Sequence, residues 1–148
     1  MSGSAVVGRV EERMPVSDSS TGPIKVLVID DSNTIRRSAE MFLRQAGFEV
    51  ILAEDGFDAL AKISDHQPQV IFVDIMMPRL DGYQTCALIK QNPLLKSTPV
   101  IMLSSKDGVF DRARGRLAGS DRYLTKPFTK EGLIDTVNEY AKPSSVSS

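Results

Sequence analysis

Val26-Leu27-Val28-Ile29-Asp30-Asp31 runs four aliphatic residues straight into two carboxylates. A strand with one wet face alternates apolar and polar side chains, so an unbroken aliphatic run fits a strand covered on both faces, as in a parallel sheet. The pattern returns downstream: Val70-Ile71-Phe72-Val73 leads into Asp74, and Val100-Ile101-Met102-Leu103 leads into Ser104. Strands are expected at 25–30, 49–53, 69–74, 99–103 and 122–124, all parallel. Amphipathic helical patterns separate them, which is the alternation of a doubly wound α/β sheet with helices on both faces. The first helix, expected at 33–46, places Ile35, Ala39, Phe42, Leu43 and Ala46 on one face, with Gly47 as its stop signal. Its other face, with Arg36, Arg37, Glu40 and Arg44, is expected to meet water. The last helix repeats the logic through Leu133, Ile134, Val137, Tyr140 and Ala141, and Pro143 ends it.

The 148 residues, with 41% apolar content, suffice for one domain with one ordinary core. Residues 1–22 are rich in Ser and Gly and show neither helical nor strand periodicity, so a disordered leader is expected there. The domain proper is expected at 23–142 and a flexible tail at 143–148. Eighteen basic residues against nineteen acidic ones give a formal charge of −1, which lacks the positive field of a nonspecific nucleic-acid binder. One cysteine, Cys86, cannot close an internal disulfide, and no apolar stretch is long enough to span a bilayer. A cytoplasmic protein with no nucleic-acid partner and no membrane insertion is expected.

In an open α/β sheet, ligands gather beyond the carboxyl ends of the strands, where the strand order reverses. The polar residues that follow the apolar runs all belong to that edge: Asp30 and Asp31, Asp74, Ser104, and Lys126-Pro127 after the fifth strand. Carboxylates converging in a partly desolvated pocket need a cation or protons. Oxygen-only ligands favour Mg²⁺, with Mn²⁺ as a substitute. Such a constellation suits in-line phosphoryl transfer, which is chiefly a matter of positioning and charge neutralisation. Asp74 is then the nucleophile, Lys126 counters one phosphoryl oxygen and the Ser104 hydroxyl donates to another. Pro127 restrains the backbone that aims Lys126.

These residues, together with Val73-Asp74-Ile75-Met76-Met77-Pro78, Leu80-Asp81-Gly82, Met102-Leu103-Ser104-Ser105 and Tyr123-Leu124-Thr125-Lys126-Pro127-Phe128, resemble the receiver domains of bacterial two-component response regulators, of the chemotaxis-protein type. The resemblance covers about residues 24–142. It implies a flavodoxin-like sheet in the order 2-1-3-4-5. It also implies phosphorylation on Asp74, and a metal held by Asp30, Asp31, Asp74 and the backbone carbonyl of Met76. Ser104 and Tyr123 then form a switch pair, and the bond from Lys126 to Pro127 is cis. A histidine kinase of the chemosensory type is the implied donor. A stand-alone switch that binds another protein through the fourth helix, fifth strand and fifth helix is the implied output, with the chain a monomer and not a turnover enzyme. Within the family, residues 55–63, 79–90 and 104–108 are similar to regulators of type IV pilus twitching motility, which implies a downstream pilus-regulatory protein. Met76 and Lys106 occupy positions that flank the attacking water in this family.

Blander readings apply elsewhere. Asp81-Gly82 reads as a turn and helix start. His66 reads as a solvated residue near a helix end, and Cys86 as small packing. Arg112, Arg114 and Arg116 read first as a solvated helix face, and second as a docking surface for an acidic partner. Two other functions remain open: a receiver fold used as a phosphorylation-independent scaffold, and a Mg²⁺-dependent phosphohydrolase. A phosphohydrolase commonly carries an aspartate two residues beyond its nucleophile, where Met76 stands here.

Overall fold

The computed structural model describes residues 22–105 and 109–141. The expected tail (143–148) and all of the expected leader except Gly22 lie outside them, as does Lys106. The elements are β1 (Lys25–Ile29), α1 (Asn33–Gln45), β2 (Glu49–Ala53), α2 (Gly56–His66), β3 (Val70–Asp74), α3 (Gly82–Gln91), β4 (Val100–Ser104), α4 (Val109–Leu117), β5 (Arg122–Thr125) and α5 (Lys130–Tyr140). Five parallel strands lie in the order β2-β1-β3-β4-β5. The chain thus steps outward from β1 to β2, crosses back to β3 and continues to β5, and the order reverses between β1 and β3.

Side-chain alternation along the strands divides the core in two. Val26, Val28, Val50, Val70, Phe72, Ile101 and Leu103 pack with Ala39 and Leu43 of α1 and Leu133 and Val137 of α5. Leu27, Ile29, Ile51, Ile71, Val73, Val100 and Met102 pack on the opposite face with Ala59 and Ile63 of α2 and Tyr83, Cys86 and Ile89 of α3. Every residue of β3 and β4 is buried, as their unbroken apolar runs require. β5 lies at the sheet edge and none of its residues is fully buried.

Local signals set the helix ends. Ser32, Asp55, Asp81 and Thr129 cap α1, α2, α3 and α5, each accepting a backbone N–H three residues on. Asp81 and Gln84 complete a reciprocal capping box, in keeping with the turn and helix start read there. α1 ends at Gly47, whose φ of 93° lies in the left-handed region that glycine tolerates. Ala39 and Leu43 of the expected apolar face of α1 are buried and Ile35 and Phe42 are partly so, while Ala46 is exposed at the C-cap. His66 is exposed at the end of α2. Cys86 is buried, donates to the Ala118 carbonyl at 3.4 Å, and has its thiol pushed up to about 11 by burial, so it is inert packing.

Strand ends differ from expectation by one residue. Asp30 falls just beyond β1, although its N–H still donates to Ala53 at 3.1 Å. Gln69 and Pro99 precede β3 and β4 while keeping one ladder bond each: Gln69 donates to Lys25 at 2.8 Å, and the Pro99 carbonyl accepts from Ile71 at 3.0 Å. Proline has no N–H to give in return. No described helix is long and apolar enough to cross a membrane.

Candidate functional site

The carboxyl ends of β1 and β3, neighbours at the reversal of strand order, bring Asp30, Asp31 and Asp74 together. Each offers a carboxylate oxygen, and these oxygens all lie within 4.8 Å of one another. Asp30 and Asp74 are 0% and 3% exposed, whereas Asp31 faces solvent. Lys126 reaches in from beyond β5 and places its ammonium 3.0 Å from Asp74 Oδ1 and 3.3 Å from Asp30 Oδ2. The residue pairs that meet here are 96 and 52 positions apart in sequence, and only the parallel sheet joins them. The peptide bond between Lys126 and Pro127 is cis, as the resemblance implied.

The backbone around the cleft is pinned. The other oxygen of Asp30 accepts the Ser32 N–H at 2.9 Å, and Ser32 in turn caps α1. Ile75 N–H donates to Leu103 at 3.0 Å, and Lys126 N–H donates to Ser104 at 2.7 Å. The segments after β3 and β5 are therefore each tied directly to the carboxyl end of β4. Ser104 is 3% exposed at the end of β4, one residue beyond the partner of Asp74 in the register.

Tyr123 is not part of the carboxylate cluster. It lies three residues before Lys126 and is half-buried against the core face that holds Met102. In the β4–β5 register Met102 pairs with Tyr123 and Ser104 with Thr125, so Ser104 and Tyr123 share a face of the sheet. They stand two residues apart along the strand direction, roughly 7 Å. Met76 lies in the loop after β3, and its side chain is 63% exposed beside the cleft.

Electrostatics follow from burial and from like charge. Burial pushes Asp74 up, the neighbouring Asp30 carboxylate adds to the effect, and Lys126 opposes it; the result is a pKa of about 6. Burial pulls Lys126 down, but its hydrogen bond to Asp74 and the charges of Asp30 and Asp74 outweigh this and leave it raised. Three carboxylates against one ammonium carry a formal excess of two negative charges. A small divalent cation fits that deficit and the hard, oxygen-only donor set.

Two supporting residues escape sequence reading. Arg36, expected on the wet face of α1, is half-buried and donates from its guanidinium to the carbonyl of Asp30. Helical spacing places a side chain on a face but cannot show that a long one reaches back to the preceding strand. Gly82 reads as a helix start, and it is one, but a Cβ there would overlap the carbonyl oxygen of Asp74 and come within 2.7 Å of Ile75 Cα. The start of α3 therefore presses directly on the backbone that presents Asp74, and the Gly82 N–H donates to Ile75 at 3.0 Å. Because backbone cannot swing aside as a flexible side chain can, Gly82→Ala is expected to destabilise the fold by about 1–3 kcal/mol. The same change should displace Asp74 and lower Mg²⁺ affinity. Urea denaturation and calorimetric Mg²⁺ titration would check both, and unchanged values would contradict the close approach.

Residues 26–138 match the response regulator receiver domain family. The chain is 68% identical over 117 residues to Protein PilG of Pseudomonas aeruginosa, covering 79% of this chain and 87% of that protein. It is 38% identical over 112 residues to response regulator MprA of Mycobacterium sp., covering 76% of this chain but only 48% of that protein, so it spans about half the length of such relatives. Among solved structures, the chemotaxis protein CheY4 of Vibrio cholerae superposes with a TM-score of 0.78 at 34% identity, covering 80% of this chain and 99% of that one. A BeF3-activated DrrB receiver domain superposes with a TM-score of 0.73 at 30% identity, covering 82% of this chain and 99% of that one. With the strand order, the acidic cleft and a family match across most of its length, this chain belongs to the response regulator receiver domain family.

Proposed function

We propose that the chain is a stand-alone phosphorylation switch that accepts a phosphoryl group on Asp74 from a histidine kinase and signals by binding another protein. The observation that carries this reading is the meeting of Asp74 with Lys126 at 3.0 Å inside a cluster of three carboxylates, two of them buried. The cation would be held by Asp30, Asp31, Asp74 and the Met76 carbonyl, with Mg²⁺ the fitting ion and Mn²⁺ a substitute, and when bound it would neutralise charge on the transferring phosphoryl group.

The chain's own residues do the rest. A carboxylate oxygen of Asp74 attacks phosphorus as the bond to the kinase histidine breaks, and the product is an acyl phosphate on Asp74. Lys126, now paired with Asp74, transfers its hydrogen bond to a phosphoryl oxygen, and the Ser104 hydroxyl donates to another. The phosphoryl group adds roughly −1.5 to −2 charge units at one end of the sheet. As Ser104 moves toward it, the Tyr123 ring turns along the shared face into the space vacated, and the population of the binding-competent form rises. Self-phosphorylation from small donors and self-dephosphorylation are the only chemistry this reading requires, so the chain is not a turnover enzyme.

The output surface is α4, β5 and α5. A cleft of about 410 Å³ there is lined by Arg112, Arg116, Ser120, Asp121, Arg122 and Tyr123, and its three arginines against one carboxylate suit an acidic partner. The resemblance to regulators of type IV pilus twitching motility, together with the 68% identity to PilG, supports a place in that system, with a chemosensory histidine kinase upstream and a pilus-regulatory protein downstream; the same reading makes the chain a cytoplasmic monomer.

Incubation with acetyl phosphate, Mg²⁺ and a panel of unrelated phosphoesters tests the class. A receiver takes up one labile group and leaves the phosphoesters intact, whereas catalytic release of phosphate from them supports a phosphohydrolase. Twitching that survives an Asp74→Asn replacement in the host favours a phosphorylation-independent scaffold.

A further inference from the structure

Helix α4 meets the domain through a glycine and two arginines. Of its side chains described, those at 112–117, Arg112, Arg114, Arg116 and Leu117 are exposed, Ala113 is half-buried and Gly115 alone is buried. Gly115 marks the close approach to the sheet: a Cβ there would stand 3.7 Å from Met102 Cγ and 3.1 Å from Ser120 Oγ. The helix is flanked by two arginine–tyrosine stacks. The Arg114 guanidinium carbon lies 4.3 Å from the ring centroid of Tyr83 on α3, and that of Arg112 lies 5.4 Å from the ring centroid of Tyr123 on β5. Both distances are within the range in which the negative face of an aromatic ring attracts a cation.

The two stacks have different consequences. Tyr83 is 7% exposed and part of the core, so Arg114 fastens α4 to a fixed ring. Tyr123 is only half-buried, and it shares its face of the sheet with Ser104. In this same structure Lys126 bonds the Asp74 carboxylate at 3.0 Å, a contact that a phosphoryl group on Asp74 would take over. A ring that turns toward Ser104 must leave the guanidinium of Arg112.

We infer that Arg112 is a positioning residue that holds Tyr123 in its unphosphorylated position, so that this stack sets how readily the domain switches. The inference rests on the reading of Ser104 and Tyr123 as the switch. It converts a basic residue on the output surface into a brake on activation, because every molecule that switches gives up this stack. Arg112 and Tyr123 both line the cleft with Arg116, Asp121 and Arg122, so departure of the ring changes the surface that a partner meets.

The test uses the full chain carrying 3-fluorotyrosine at Tyr83, Tyr123 and Tyr140, titrated with beryllofluoride in the presence of Mg²⁺ and followed by ¹⁹F NMR. Removing the stack in Arg112→Met should lower the half-saturating beryllofluoride concentration about two- to fivefold, the range of an exposed cation–ring contact. Arg112→Lys, which keeps the charge, should fall between this variant and the unsubstituted chain. Arg114→Met loosens the helix on the other flank and should leave the midpoint unchanged. The Arg112→Met effect should vanish in a Tyr123→Leu background. An unshifted midpoint in Arg112→Met, an equal shift in Arg114→Met, or a shift that persists without the Tyr123 ring overturns the inference. If the Tyr123 resonance of the unsubstituted chain ignores beryllofluoride although the ion binds, the switch reading itself fails and the inference falls with it.

Discussion

Asp74→Asn is expected to abolish phosphoryl uptake and, in metal-free buffer at neutral pH, to make the protein more stable by about 3 kcal/mol. Both effects have one source. In the fold the Asp74 carboxyl has a pKa of about 6 against an ordinary value of 3.8, chiefly through burial and then through Asp30. Two pKa units correspond to about 3 kcal/mol of bias toward the protonated form. The folded state therefore binds this proton more tightly than the unfolded state does. Below pH 3.8 the group is protonated in both states and contributes nothing; as pH rises to 6 the cost of holding the anion accrues, and above 6 it is complete. Asparagine has no such cost. The stability difference between variant and parent should thus be largest at pH 7 and nearly gone at pH 4. Urea denaturation at the two pH values reads it directly. Equal stability at both would show that Asp74 carries no strain of this kind.

Lys126→Met removes the opposite charge. Its ammonium bonds two carboxylates that are 0% and 3% exposed, so the substitution leaves them buried beside each other without their cation. Breaking a buried pair from one side typically costs about 3–5 kcal/mol. Lys126 has a raised pKa, so its own charge is kept through the acid and neutral range and is lost only as the solution becomes alkaline enough to discharge it, while its pairing with Asp74 is complete only above about pH 6, where that carboxyl is ionised. The loss in the variant should therefore be plain at pH 7. Acidification should restore much of it, because Asp74 is deprived of the two Lys126 influences that lower its pKa and takes up a proton more readily. Millimolar Mg²⁺ should restore it as well. Phosphoryl uptake should stay slow even in saturating Mg²⁺, since the group meant to counter a phosphoryl oxygen is gone. Full stability without Mg²⁺, or normal uptake with it, would contradict the role assigned to Lys126.

Much of this arrangement is written in the chain because hydrophobicity changes abruptly at the strand ends. Val26 to Ile29, Val70 to Val73 and Val100 to Leu103 read as strands covered on both faces, and each next residue, Asp30, Asp74 or Ser104, stands at the carboxyl edge of the sheet. Parallel strands put all those ends on one side, so the site follows from the fold class together with the residue that ends each run. The order of the strands does not follow from the apolar runs; the family resemblance supplied it, and the hydrogen-bond register agrees. Strand limits were less legible because a residue such as Gln69 or Pro99 gives one ladder bond without belonging fully to the strand.

What escaped sequence reading depends on reach and on close approach. Arg36 has the helical spacing of a wet face, yet its long side chain turns back to the Asp30 carbonyl. Gly82 carries the signature of a turn, and nothing in that signature tells that the backbone of Asp74 lies against it. Arg112 and Arg114 read as part of a charge run because the rings they cover, Tyr123 and Tyr83, belong to other elements. Periodicity gives the face of a helix; it does not give the neighbour across the gap.

A mass measurement on the intact protein addresses the cleft as a whole. The chain is exposed to acetyl phosphate with Mg²⁺, and in parallel with the metal chelated. A gain of one phosphoryl group that requires the metal, is removed by neutral hydroxylamine as an acyl phosphate is, and maps to Asp74 is the predicted result. Uptake that ignores Mg²⁺, or a phosphoryl group found on another residue, would contradict the account.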